Sequence, residues 1–156
     1  MSIPPPDFSF TTSVERPERL LDWCDKYVDH PAAGPIFWKA LFEEWAGFDR
    51  INQIAFGFYM EMFDDWPFAK VMAKLPESVI VYCGMPNGEP PRHCWTLDIN
   101  VAKNFAAGHR GTVAGDPVVW RAEICPQWDA ALYITERNEE ELVLREVPEK
   151  YERIEC

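Results

Sequence analysis

Cysteine, histidine and threonine side chains flank a proline- and glycine-rich loop near the middle of the chain, and these residue types are able to do chemistry. A run of β-favouring residues ends at Gly84, and Arg-His-Cys-Trp-Thr occupies residues 92–96. The loop between them, residues 85–91, reads Met-Pro-Asn-Gly-Glu-Pro-Pro. Proline fixes φ and lacks the backbone donor, so this loop is neither helix nor ladder strand. The sequence therefore predicts two strands around an irregular loop, a common location for a functional site.

The cysteines offer two kinds of chemistry by residue type and spacing. Cys83, His93, Cys94 and Cys125 have the residue types of zinc ligands, but adjacent His93 and Cys94 are poorly spaced for chelation. A nucleophilic thiol with His93 as its base is a second option. The commoner role of such cysteines is that of small buried hydrophobes. The five cysteines are irregularly spaced and form no Cys-x-x-Cys pair, so we expect reduced thiols rather than a disulfide framework.

A cluster of carboxylates forms the third stretch of interest. Residues 137–141 read Arg-Asn-Glu-Glu-Glu and open directly onto the apolar run Leu-Val-Leu. By residue type alone, such a charge run usually lies in a solvated hairpin turn. The chain carries neither a Walker loop nor a Gly-x-Gly-x-x-Gly motif.

Composition narrows the class of protein. At 156 residues, with 47% apolar and 14% aromatic residues, the chain is expected to form one globular domain. A formal net charge of −11 repels phosphates, so we expect no direct binding of nucleic acid. That charge suits a basic partner, or it serves solubility alone.

No apolar run approaches the length of a membrane span, and the N-terminus does not resemble a signal peptide. We therefore expect a cytoplasmic protein without a membrane segment.

The hydrophobic pattern changes from helical to alternating along the chain. Residues 1–16 are predicted to be an irregular arm, with Phe8 and Phe10 able to pack on the body. The helical part covers residues 17–75 and the sheet part covers residues 76–156. Asp98 is expected to cap a short helix inserted in the sheet part and ended by Gly108. The predicted elements are helices at 17–30, from 35 and over 51–62, a turn at 68–72, strands at 79–84, 118–124, 130–135 and 142–145, and an edge strand after residue 146. This order predicts an α+β fold: N-terminal helices followed by a split, mostly antiparallel sheet with one inserted helix.

Several short motifs, taken in order, resemble a family of small phage and prophage proteins. The motifs here are Val-Tyr-Cys-Gly, then Cys-Trp-Thr-Leu-Asp, then Arg-Asn-Glu-Glu-Glu-Leu-Val-Leu. The family typically has Val-Tyr-Arg-Gly, Leu-Ser-Trp-Thr-x-Asp and Arg-x-Glu-x-Glu in these places. The resemblance covers roughly residues 35–145. That family in turn resembles ADP-ribosyltransferases of the arginine–serine–glutamate type.

The resemblance implies a fold, a cofactor and residue roles. It implies a split sheet that binds NAD in its cleft and cleaves the nicotinamide–ribose bond through an oxocarbenium-like transition state. Glu141 corresponds to the carboxylate that stabilises the developing positive charge, and Glu139 to the upstream glutamate that guides the acceptor. The implied cofactor-binding residues are Tyr82, Cys83, Gly84, Trp95 and Thr96, with Arg92 from the adjoining loop.

The chain departs from the family pattern at two positions. Cys83 stands in place of the strand arginine and has neither a charge nor the donors that hold a phosphate. Cys94 stands in place of the serine, whereas Thr96 and both glutamates are retained. Arg92 or Arg110, from flanking loops, are the candidate substitutes for the missing arginine.

Two functions of different classes follow from the resemblance and its departures. The first is NAD-dependent mono-ADP-ribosyl transfer to a host macromolecule by a phage protein. The second is a catalytically inactive, acidic ADP-ribosyltransferase-like protein that blocks a basic or nucleic-acid-binding host complex, such as a CRISPR surveillance complex. The first requires NAD binding and the Glu141 carboxylate, whereas the second requires only the acidic surface.

Overall fold

The computed structural model describes residues 2–45, 48, 51–63, 72, 74–108, 115–135 and 140–154. The chain divides into two compact units, Met1–Pro67 and Phe68–Cys156. The predicted helical part extended to residue 75, whereas the boundary between the units falls after Pro67. The turn predicted at 68–72 lies outside the described residues except for Met72.

The first unit contains three helices: α1 (Glu15–Tyr27), α2 (Ala33–Glu44) and α3 (Gln53–Met62). Its core is rich in aromatic side chains, including the fully buried Phe37, Trp38 and Phe56. The indole of Trp38 donates a hydrogen bond of 2.8 Å to the Phe63 carbonyl, which satisfies the one polar atom of that buried ring. Helix α2 begins at Ala33 rather than at the predicted Pro35, because proline is tolerated anywhere in the first helical turn, where backbone N–H groups have no helical acceptor.

The N-terminal arm ends at residue 14, before α1 begins. The Trp23 indole donates to the Pro4 carbonyl at 2.8 Å, which ties the arm to α1. Phe8 lies beside Phe48, with their ring centroids 6.2 Å apart. Phe10 is 105% exposed. Only one of the two arm phenylalanines therefore packs on the body as the sequence led us to expect.

The second unit is an antiparallel sheet of six strands. The strands are β1 (Val79–Met85), β2 (Cys94–Thr96), β3 (Val118–Ile124), β4 (Ala130–Ile134), β5 (Glu141–Leu144) and β6 (Glu152–Ile154). Their order is β4-β5-β2-β1-β3-β6. The fold is thus the predicted α+β class, with N-terminal helices, the predicted edge strand and the predicted inserted helix, α4 (Ile99–Ala106).

The sheet consists of two halves that meet at a narrow junction. Strand β1 pairs with β3 at seven register positions, from Val79↔Ile124 to Met85↔Val118. By contrast, β1 and β2 are in register only at Tyr82↔Thr96. Beyond this pair the two strands diverge towards the proline- and glycine-rich loop. The halves β4-β5-β2 and β1-β3-β6 are therefore joined through one point, next to the predicted site.

One short helix was missed by the sequence analysis. Strand β3 ends before Pro126, as its predicted bounds required, and Pro126 then begins α5 (Pro126–Asp129). The Asp129 carboxylate accepts a hydrogen bond of 2.8 Å from the Cys125 backbone N–H, so this single turn is closed by its own last residue. Separately, within the described part of the chain, no helix combines the length and the apolar character needed to cross a bilayer.

Helix α4 begins at the predicted cap. The Asp98 carboxylate accepts a hydrogen bond of 2.8 Å from the Asn100 backbone N–H, and Asp98 has extended φ and ψ values, as an N-cap requires. The helix ends before Gly108, whose φ is +103°.

Replacing Asp98 with alanine is expected to lower the free energy of unfolding by about 1 kcal/mol, because an alanine leaves the first helical N–H groups without an acceptor. Urea denaturation followed by circular dichroism measures this. Asp98→Asn, which keeps a capping oxygen, is the control and should retain most of the stability. Equal losses in both variants would show that the cap is not the source of the effect.

Candidate functional site

A single row of residues in register crosses the whole sheet and contains three of the predicted site residues. Its members, in spatial order, are Ile134, Glu141, Thr96, Tyr82, Arg121 and Glu152. Side chains directly opposite one another in antiparallel strands lie on the same face of the sheet. Glu141, Thr96 and Tyr82 therefore share a face, with about 5 Å between neighbouring strands. We call this face the Glu141 face.

The carboxylate of Glu141 has a neighbour that the sequence did not reveal. Cys94 lies two residues before Thr96 and so faces the same side of the sheet. Burial raises the pKa of the Cys94 thiol well above its usual value, and the Glu141 carboxylate, the Cys83 thiol and a hydrogen bond to Glu141 raise that pKa further. At neutral pH the thiol is therefore protonated and donates a hydrogen bond to the half-buried Glu141.

Cys83 and Arg92 lie where β1 and β2 diverge. Cys83 is 5% exposed, and its burial raises the pKa of the thiol to about 11 against the opposing effects of the Arg92 backbone N–H and guanidinium. Arg92 also lowers the pKa of Cys94. The Arg92 guanidinium therefore acts electrostatically on both thiols, and its role as a substitute for the missing strand arginine stays a prediction. Its ion pair with Glu89, at 3.2 Å, is largely exposed.

Thr96 has a local role that orients the turn into α4. Its hydroxyl oxygen accepts a hydrogen bond of 3.0 Å from the Asp98 backbone N–H, and Thr96 is only 5% exposed. The same short segment therefore places Thr96 opposite Glu141 and starts the capped helix α4. Residues 96–98 therefore fix how β2, the turn and α4 are arranged relative to one another.

Two predicted residues, Tyr82 and Trp95, have packing roles in the structure. Tyr82 packs on the cluster formed by Ala102, Ala106 and Val119. The ring of Trp95 is 1% exposed, and its indole donates to the Arg92 carbonyl at 2.7 Å. That bond fixes the backbone of the residue that carries the guanidinium.

Gly84 is packed directly beneath α4. A Cβ at Gly84 would lie 1.8 Å from the Ala102 carbonyl oxygen, so only glycine permits this approach between β1 and the helix. Gly84 lies on the same face as Tyr82, two residues away. Helix α4 therefore covers one end of the Glu141 face. The absence of a side chain at Gly84 sets the distance between β1 and α4.

The metal and nucleophile options find little support among the described residues. In those residues, no group of three or more histidine, cysteine, aspartate or glutamate side chains is arranged to hold a metal ion. His93 and Cys94 are consecutive in β2 and its approach, so they face opposite sides of the sheet. The Nδ1 atom of His93 donates a hydrogen bond of 2.7 Å to the Leu144 carbonyl. This bond ties the His93 ring to the backbone of β5.

Two predicted site residues lie outside the described part of the chain, and Arg121 of the row was not among the predicted site residues. Glu139 and Arg110 are not among the described residues, so their roles stay predictions.

Arg121 belongs to the row that contains Glu141, and its guanidinium forms an ion pair of 2.7 Å with Glu152. The alternation of β3 already placed Arg121 on one face, but the alignment with Glu141 depends on the register of four strands.

The raised pKa values of the two thiols predict a loss of stability at alkaline pH. In the unfolded chain a cysteine ionises near pH 8.5, whereas folded Cys83 does so only at about 11. The contribution of such a protonated, buried thiol to the free energy of unfolding is fully present below the unfolded pKa. It is lost as the pH rises towards the folded pKa. We expect the free energy of unfolding to fall between these values more steeply for the wild type than for Cys83→Ala/Cys94→Ala. Urea denaturation from pH 7 to 10.5 measures both slopes, and parallel slopes would contradict the prediction.

Comparisons with protein-family models, with curated proteins and with solved structures gave no match for this chain. The resemblance to ADP-ribosyltransferases thus stays a prediction. The grounds for a functional proposal are the residue chemistry and the sheet geometry described above.

Proposed function

We propose that this protein binds NAD at the junction of β1, β2 and β5 and transfers mono-ADP-ribose to a host macromolecule. The observation that carries the proposal is the register pair Thr96↔Glu141 beside the junction. This pair brings a hydroxyl and a carboxylate, far apart in sequence, onto one face of the sheet. The same two residues match the retained part of the phage-protein motif.

Two residues at the junction suit different parts of NAD: Glu141 suits the ribose and Arg92 suits a phosphate. A carboxylate at Glu141 stabilises positive charge that develops on the ribose, which is an electrostatic contribution of a preorganised group. The Arg92 side chain is 49% exposed, and its guanidinium pairs with Glu89, three residues earlier in the sequence. Such exposed ion pairs contribute little to stability. Replacing the Glu89 carboxylate by a phosphate of NAD as the partner of Arg92 therefore costs little free energy. Bound NAD supplies the reactive nicotinamide–ribose bond and the ADP-ribose group.

Calorimetric titration with NAD tests the proposal at low and at moderate salt. We expect a dissociation constant near or below the cellular NAD concentration. Arg92→Ala should weaken binding about tenfold, since a charge-assisted contact to phosphate is lost. Lys103→Ala, which removes an exposed cation on α4, is the matched control and should bind as the wild type. An absence of heat at high protein concentration would rule the proposal out.

A second function is favoured by the charge of the chain and by the chemistry of Cys83. The net charge is −11, and the strand position that holds a phosphate in the family carries a buried, neutral thiol. An inactive protein of this fold would bind a basic or nucleic-acid-binding host complex through its acidic surface. Binding to such a complex should weaken with salt and survive Glu141→Gln. Binding that is insensitive to salt would contradict this function.

A further inference from the structure

Helix α3 carries large apolar side chains on both of its faces. Its buried face contributes Phe56, Tyr59 and Met60 to the first unit. Its outward face presents Ile54, Phe58 and Met62, which are 88%, 55% and 49% exposed. A helix at a protein surface ordinarily turns polar residues outward. A contiguous apolar surface of this kind marks an interaction site more often than a single exposed side chain does.

The three exposed residues are spaced so that they form one stripe. Positions 54, 58 and 62 are four residues apart, which places their side chains above one another on the helix. The stripe is about 12 Å long, at 1.5 Å per residue. This pattern of anchors, one per turn, is the one used when a helix packs against an amphipathic helical partner. We call Ile54, Phe58 and Met62 the α3 stripe.

The size of the α3 stripe excludes a stable dimer formed through it alone. A large side chain covers at most ~250 Å² when it is fully exposed. Three side chains exposed to 88%, 55% and 49% therefore present less than the ~800 Å² that each partner buries in a stable dimer. A short helical segment, rather than a globular surface, fits an area of this size.

The charge around the α3 stripe selects the kind of partner. The exposed Glu61 lies on α3 beside Met62. No lysine or arginine occurs between Arg50 and Lys70, and the whole chain has a net charge of −11. A second copy of the chain would bring like charges together, which is unfavourable. A partner with apolar anchors flanked by lysine or arginine is complementary.

We propose that the α3 stripe docks a basic amphipathic helix of a partner protein. Apolar side chains of that helix contact Ile54, Phe58 and Met62, and its basic side chains lie towards Glu61. The proposal does not rest on NAD binding, since it uses no residue of the sheet row. Glu141→Gln therefore leaves this docking intact, which distinguishes a failure of one proposal from a failure of the other.

The test uses the whole 156-residue chain and a synthetic probe. The probe is a fluorescein-labelled helical peptide of about 16 residues, or four turns, with leucine on one face and lysine elsewhere. Fluorescence anisotropy is measured at about 150 mM salt, where exposed charges beyond ~8 Å are screened. Replacing Ile54, Phe58 and Met62 together with serine should weaken binding at least about tenfold, as expected when apolar anchors are lost. Ile54→Ser alone, a change at an 88% exposed position, should weaken it about threefold without disturbing the fold.

The control variant is Phe10→Ser, which removes a fully exposed aromatic ring outside α3 and should bind the peptide as the wild type. A peptide with serine in place of leucine, and one with glutamate in place of lysine, should both bind weakly. Equal binding by the wild type and the Ile54→Ser variant would overturn the proposal. So would a dimer in sedimentation velocity that Ile54→Ser dissociates, or adsorption to phosphatidylcholine vesicles through α3 without peptide binding.

Discussion

Glu141→Gln is expected to lower the rate of NAD-dependent ADP-ribosyl transfer by about 10²- to 10³-fold, the range seen when one preorganised electrostatic group is removed from an active site. Glutamine has nearly the same shape as glutamate but no negative charge. It therefore cannot stabilise positive charge on the ribose. Glu141 begins β5 and pairs with Thr96, and both backbone positions are unaffected by this change. Transfer of label from NAD to protein acceptors in a host lysate measures the rate.

Glu140→Gln is the matched control for this prediction. Glu140 is exposed and precedes β5, and its backbone carbonyl accepts a hydrogen bond of 3.2 Å from the Leu97 N–H. That bond does not depend on the side chain, so the control removes one charge at nearly the same place. NAD binding by Glu141→Gln should stay close to that of the wild type, because the lost interaction acts mainly in the transition state. Full activity of Glu141→Gln, or an equal loss in Glu140→Gln, would reject the assigned role.

Gly84→Ala is expected to lower the free energy of unfolding by at least about 2 kcal/mol, since overpacking costs ~1–3 kcal/mol and occasionally more. The added methyl group would lie 1.8 Å from the Ala102 carbonyl oxygen and 2.9 Å from the Ala106 backbone nitrogen. Backbone atoms of a helix cannot rotate aside as a long side chain does. Helix α4 would have to move away from β1, which would open the cluster of Ala102, Ala106 and Val119.

The comparison for this prediction is Gly115→Ala. Among the described residues, a Cβ at Gly115 would meet only the Asn87 Oδ1 atom, at 3.2 Å, and this side-chain atom can move away slightly. Its cost should be below about 1 kcal/mol. Urea denaturation of both variants provides the measurement. A Gly84→Ala variant as stable as the wild type would mean that α4 does not approach β1 as closely as described.

Local patterns were sufficient to predict most of the secondary structure. The alternation Val118–Ile124 predicted β3 with the observed bounds, and Asp98 predicted the start of α4. The start of α2 was wrong by two residues because proline is compatible with several positions in a first turn. Helix α5 was missed because its stabilising contact, from Cys125 to Asp129, spans too few residues to leave a periodic signal.

The amino-acid sequence by itself determined the α+β class, the order of the helices and strands, and the stretches that supply Tyr82, Cys94, Thr96 and Glu141. These features depend on local hydrophobic period, caps and proline positions, which are properties of neighbouring residues. Only the tertiary structure decided that Glu141 lies opposite Thr96, that Cys94 donates to Glu141, and that Gly84 packs under α4. These contacts depend on strand order and register. One residue of slip would turn every side chain of a strand to the other face, so no local pattern specifies them.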